Sequence, residues 1–253
     1  MSKITKISLR KLNFIAAGLH LVQAATVLLI AKDFKLPVTG NFLDFNQSTQ
    51  ALVPASKTLF QLPYVWLIVS FFLLSALAHL FIATVYNRSY NRNLAQGINK
   101  VRWIEYGLSA STMMVAIALL VGVYDAASLL MIFTLTAIMN LMGLAMELYN
   151  QSRQKVSWLA YWVGSLAGII PWLVIAFYLW LGASQGSSAP TFVYFIFVSI
   201  FIFFNCFAIN MWLQYKRVGK WKDYLYGERV YIWLSLIAKS LLAWQVFAGT
   251  LRP

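Results

Sequence analysis

Acid, histidine and cysteine are scarce in this 253-residue chain, and each scarcity excludes something. Seven aspartates and glutamates stand against twenty lysines and arginines, so the formal net charge is +13 at pH 7. A single cysteine, Cys206, leaves no intramolecular disulfide to form, and the redox compartment cannot be read from it. The two histidines, His20 and His79, have no third ligand at local metal-binding spacing, so a metal centre has little support. Low-complexity tracts and internal repeats are missing. Only 11% of residues are charged, while 61% are hydrophobic and the mean hydropathy is +0.71. That balance excludes a soluble domain and describes an integral membrane protein.

What the chain does have is long apolar stretches. Seven are long enough to cross a hydrocarbon core of about 30 Å, at about 12–31, 62–86, 103–123, 127–148, 157–181, 190–215 and 230–250. These predict an all-α membrane protein, one seven-helix domain over residues 1–253, because helices satisfy their own backbone polar groups inside a bilayer and open strands do not. The first stretch follows a basic segment, as a signal peptide would. It is nearer twenty residues than ten, and no small-x-small site follows at 29–35, so it is read as a retained helix. The longest connection, about 32–61, carries PVTGNFLD at 37–44, a turn followed by an extended segment. A short β-hairpin is expected there, capping the outer face or reaching a neighbouring protomer.

The basic residues alternate by connection. Lys3, Lys6, Arg10, Lys11, Arg88, Arg92, Lys100, Arg102, Arg153, Lys155, Lys216, Arg217, Lys220, Lys222 and Arg229 fall on one side, and Lys32, Lys35, Lys57 and Arg252 on the other. By the positive-inside rule the amino terminus is cytoplasmic and the carboxyl terminus extracellular, as in a multi-pass protein of the cell membrane. The basic face then reads as a surface for anionic membrane lipid, not for nucleic acid.

Lys239 breaks the pattern, because it sits in the middle of the seventh stretch, too deep to snorkel. An ionisable residue at such depth marks a functional site and needs a partner. Asp33, Asp44, Asp125, Asp223 and Glu228 belong by position to loops or helix edges, and Glu147 to the inner end of the fourth stretch. Glu105, near the inner end of the third, remains as the buried partner, whether for a structural ion pair or for chemistry. At similar depth toward the cytoplasm lie His20, His79, Ser75, Ser235, Asn140 and Asn205, a polar layer beneath a comparatively apolar outer half.

Three motifs carry a family resemblance. SLIAKSLLAWQVFAGTL at 235–251, RWIEY at 102–106 and GIIPW at 168–172 resemble the heliorhodopsins, as does the inverted topology read from charge. The resemblance spans nearly the whole chain. It implies all-trans retinal bound to Lys239 as a protonated Schiff base, Glu105 as counterion, Ser235 one turn from the lysine, and His20, His79 and Ser75 in a cytoplasmic proton network. The retinal needs a narrow, aromatic-walled slot. Tyr106, Ser109 and Met113 in the third span, Thr136, Met139 and Gly143 in the fourth, Pro171 and Trp172 in the fifth, and Phe203, Phe204 and Phe207 in the sixth are the expected walls.

Proton pumps of the microbial rhodopsin type carry a carboxylate one turn before the lysine and another eleven residues after the counterion, where this chain has Ser235 and Ala116. The expectation is therefore a light sensor with internal proton transfer, slow return and no net pumping. Light-gated or light-driven ion transport is the alternative. The lone cysteine and the topology argue against a G-protein-coupled ligand receptor, and no nucleophile or metal motif supports an enzyme. A homodimer and a cytoplasmic or membrane signalling partner are expected, the latter without a docking motif to name it.

Overall fold

The computed structural model describes residues 4–253, and Lys3 lies outside the described residues. Seven helices are long and apolar enough to cross a membrane: α1 (Lys6–Ile30), α2 (Val65–Ala83), α4 (Lys100–Leu120), α5 (Ala126–Tyr149), α6 (Leu159–Ser184), α7 (Thr191–Tyr215) and α8 (Tyr224–Val246), the last extended by a π-helical turn at Phe247–Leu251. A short helix α3 (Asn87–Ala95) fills the second connection, and a 3₁₀ turn (Gly219–Lys222) leads into α8. Both the basic helix α3 and the start of α8 lie outside the spans drawn from hydropathy. Polar residues hid them: α8 begins at Tyr224, about two turns before the apolar stretch.

Capping explains these starts. Thr5 and Ser8 form a reciprocal capping box for α1, with Ser8 N–H donating to Thr5 Oγ1 at 3.1 Å. Asn99 Oδ1 accepts from Arg102 N–H at 3.1 Å, Asp125 Oδ2 from Ser128 N–H at 2.9 Å, and Asp223 Oδ1 from Leu225 N–H at 2.9 Å. Each satisfies a donor that a helix start leaves unpaired.

The first long connection is a two-stranded antiparallel hairpin, β1 (Lys35–Asn46) and β2 (Ala51–Pro63), longer than the short one expected. Asn46 Oδ1 closes its turn by accepting from Ser48 N–H and Thr49 N–H, at 2.9 and 3.3 Å. A register shift at Val38/Thr39 coincides with an anchor to the bundle, where Thr39 N–H donates to Tyr124 O at 2.8 Å. The hairpin is thereby fixed across one end of the bundle.

Helices pack in the order α1–α2–α4–α5–α6, and α7–α8 closes the ring back onto α1 and α4. Trp172 of α6 joins α7 edge-on, with its ring 5.7, 5.3 and 5.4 Å from Phe197, Phe201 and Phe204. The hairpin half is an apolar core of Tyr64, Ile68, Phe71, Phe72, Met114, Ile117, Ile175, Ile196 and Leu242, all buried. The opposite, basic half buries polar groups instead: Asn13, Asn99, Arg102, Glu147, Asn210 and Glu228. Leu29, Leu77, Leu130, Leu166, Trp180 and Phe195 point outward, an apolar exterior suited to lipid. Asn205 also faces outward, its amide turned onto Phe201 O at 2.8 Å, so it is not part of the buried polar layer. One position off the inward-facing stripe of α7 is enough to put it there.

Candidate functional site

Lys239 and Glu105 meet at the boundary between the two halves. Lys239 Nζ lies 3.1 Å from Glu105 Oε1, with their side chains 4% and 6% exposed. Ser235, one turn back on α8, accepts from Nζ at 2.7 Å, and Ser75 of α2 donates to Glu105 Oε1 at 2.6 Å. The Tyr106 ring lies 5.1 Å from Nζ and is pinned by its own hydroxyl, which donates to Tyr231 O at 2.9 Å. Three helices, α2, α4 and α8, thus hold one buried cation against one buried carboxylate. Such a pair is stable inside a bundle only because hydrogen bonds occupy its remaining lone pairs and protons.

A cavity with an empty volume of about 780 Å³, its open side included, begins at Lys239 and extends toward the basic end between α4, α5, α6, α7 and α8. Of the expected walls, Tyr106, Met113, Met139, Gly143, Phe204, Phe207 and Ser235 line it. Glycine at 143 is required by close approach, since a Cβ there would strike the Trp103 ring. A buried amine opening onto an aromatic, largely apolar slot is a donor set that fits a covalently attached polyene.

Five expected wall residues lie elsewhere. Ser109 is one turn beyond Glu105 with a buried hydroxyl that has no hydrogen-bond partner. Thr136 Oγ1 is turned onto Ile132 O at 2.9 Å. Phe203 is one position off the stripe formed by Phe204 and Phe207, Trp172 packs against Phe204, and Pro171 is buried in α6 outside the lining. In their place the walls include Trp103, Ala110, Asn140, Tyr161, Gly164, Ser165, Ala208 and Met211. Trp103, Ala110 and Met113 share a face of α4 with Tyr106, a periodicity that could have found them.

His20 and His79 come together as the polar layer predicts, their rings stacked at 5.7 Å. Asn13 Nδ2 donates to Leu9 O at 2.8 Å, which leaves Asn13 Oδ1 to face His79 Nδ1 at 2.7 Å. With the amide so assigned, Nδ1 carries the proton and Nε2 offers a bare lone pair. That atom has no partner, and His79 and Glu105 line a second, smaller cavity together with Asn13, Asn99, Arg102, Tyr106 and Glu228. Both His20 nitrogens are buried and unpartnered. Asn13, absent from the expected network, is its fixed point.

Glu105 is not the one acid inside the bundle, as position along the chain suggested. Glu147 and Glu228 are also buried, at 4% and 1% exposure, and both pair with the guanidinium of Arg102, itself 4% exposed. Arg102 therefore does not serve the basic surface. Extension of α4 and α8 beyond the apolar stretches carries Arg102 and Glu228 into the bundle, and Glu147 joins them from the last turn of α5.

Two comparisons place this geometry among known proteins. A sequence model described as Heliorhodopsin matches residues 9–251. The crystal structure of the light-driven proton pump LR (Mac) from Leptosphaeria maculans superposes with a TM-score of 0.66 at 14% identity, covering 98% of this chain and 97% of that one. No curated protein matches.

Proposed function

Because the chain belongs to the heliorhodopsin family, we propose that it is a light sensor that binds all-trans retinal on Lys239 and moves a proton within its basic half without pumping it across the membrane. The ion pair carries this reading: a buried amine 3.1 Å from a carboxylate, at the head of an aromatic cavity. Lys239 Nζ would hold retinal, which when bound would supply visible absorption and light-driven isomerisation. The chain does the rest. Glu105 holds negative charge against that nitrogen, and Ser75 and Ser235 fix the carboxylate and the amine in register. Met113, Phe204 and Phe207 exclude water along the slot. A proton leaving the Nζ position is received in the chamber that Glu105 shares with His79, where Nε2 is free to accept it.

Exit on the other side is closed by the apolar core of the hairpin half, which buries no acid among the described residues. The proton therefore returns the way it came. Orientation follows from the basic end, proposed to be cytoplasmic in the cell membrane, and the hairpin is proposed to meet a second copy in a homodimer. The output is signalling through the basic face, without enzymatic chemistry. Light-driven proton transport is the competing reading, favoured by the likeness in fold to a proton pump. Reconstitution with all-trans retinal should give a visible band that Lys239→Ala abolishes, and no pigment at all would refute the site. Sustained light-driven acidification or alkalinisation of a cell suspension, abolished by protonophore, would refute the absence of pumping.

A further inference from the structure

The Lys239–Glu105 pair balances its charges, one against one. The cluster below it does not. Arg102 Nη1 binds Glu228 and Nη2 binds Glu147, two carboxylates on one guanidinium. All three side chains are 2–3% exposed, and among the described residues no second cation pairs with either acid. With both acids ionised the site carries a net charge of −1 away from water. An uncompensated buried charge is unfavourable, and such groups neutralise by taking up a proton.

We infer that Arg102, Glu147 and Glu228 form a second proton store, holding one proton between the two carboxyls in the dark. The hydrogen-bond geometry has room for it. Glu147 Oε1 is 2.9 Å from Tyr224 Oη, and Glu228 Oε1 is 3.1 Å from Tyr90 Oη. A tyrosine hydroxyl accepts as well as donates, so a protonated carboxyl on either side turns the hydrogen bond around without losing it. Asn99 bridges the two acids, its backbone N–H donating to Glu147 Oε2 at 2.9 Å and its Nδ2 to Glu228 Oε1 at 2.6 Å. The other titratable groups facing the cluster are Tyr231, whose ring lies 4.0 Å from the guanidinium carbon, Tyr215, whose hydroxyl donates to Met146 O, and His79 across the smaller cavity.

Position gives the store its use. The smaller cavity is lined by Glu105 and His79 at one end and by Arg102 and Glu228 at the other. His79 Nε2 and Arg102 Nε, on two residues that line this cavity, are both buried without partners. A proton deposited in this chamber therefore meets a cluster that already holds one, and the added charge loosens the ion pairs that tie α4, α5 and α8 together at the basic end.

The dark state can be tested without pigment, by infrared spectroscopy of the whole protein in membranes at neutral pH, in H₂O and in D₂O. A protonated-carboxyl C=O band that shifts in D₂O should be present, survive Glu105→Gln, and vanish in both Glu147→Gln and Glu228→Gln. Each of these last two leaves one carboxylate against one guanidinium. A spectrum of the unsubstituted protein without that band overturns the store on its own, whatever the variants do. So does a band lost with Glu105→Gln, or one that outlasts either single substitution at the cluster. Since the readout needs no retinal, failure here leaves the reading of Lys239 standing, and failure to form pigment leaves the store standing.

Discussion

Replacing Glu105 by Gln removes the negative charge 3.1 Å from Lys239 Nζ while keeping the shape and the hydrogen bond to Ser75. At that separation and an effective dielectric of roughly 20, the lost attraction is about 5 kcal/mol. Glu147 and Glu228 cannot replace it, because both are committed to Arg102. A difference of about 5 kcal/mol between the charged and neutral forms of the nitrogen is a ratio of more than a thousandfold. At one fixed neutral pH the pigment of the variant should therefore divide between a visible and a near-ultraviolet form, or lie wholly in the latter, with any residual visible band moved to longer wavelength. Absorption spectra of purified pigment, recorded beside Glu105→Asp as a charge-conserving control, provide the measurement. A Gln variant whose spectrum matches the unsubstituted protein, with the visible form favoured to within tenfold of its original ratio, would show that Glu105 is not the counterion.

Other perturbations test the frame around this pair. Gly143→Ala drives a Cβ into the Trp103 ring, so it should cost ~1–3 kcal/mol of stability and lower the yield of pigment, whereas Gly18→Ala, with nothing within 4 Å of its Cβ, should stabilise by ~0.5–1 kcal/mol, both read by thermal unfolding. Asn13→Leu strands the Nδ1 proton of His79 and should cost ~1–3 kcal/mol and alter dark recovery in flash photolysis; recovery kinetics unchanged within error would remove Asn13 from the network. Asp125 is held below its ordinary carboxylate value by the Ser128 N–H at the start of α5. Its contribution is therefore complete above about pH 4 and lost as pH falls through the lower folded value. Asp125→Ala should cost ~1 kcal/mol at pH 7 and less at pH 3, and an equal cost at both would contradict the cap.

Much of this site is written in local sequence, and the rest is written between distant residues. Ser235 and Lys239 are four apart on one helix, so their contact follows from helical geometry alone. Glu105 could be found by elimination because it lies inside an apolar stretch. The Arg102 cluster could not, since its two ion pairs join residues 45 and 126 positions apart and each member looks like a helix edge. Hydropathy marks where lipid begins, whereas α8 starts two turns earlier and carries Glu228 in with it. Along the cavity the errors are of two kinds. Thr136 lies on the right face but a turn too far toward the hairpin, and Phe203 lies at the right depth but on the wrong face. Depth and phase each need neighbouring helices to fix them, and a single stretch of sequence specifies neither.

Likeness in fold to a proton pump does not transfer pumping, because function lies in the site and not in the bundle. Transport requires a polar route on both sides of Lys239. Here the buried acids and the bases that face them fall on one side: His79 and the Arg102 cluster, with Ser75 and Asn13, occupy the basic half, and the hairpin half packs Phe71, Phe72, Met114, Ile117 and Leu242 without a buried acid among the described residues. Alternating access would have to open a dry core that these side chains fill. Opening the basic end asks less, since the ion pairs there already carry one more acid than base. On the proposed reading, a proton moved toward them by light would change the charge balance of the element nearest the basic surface, which is how such an arrangement would signal.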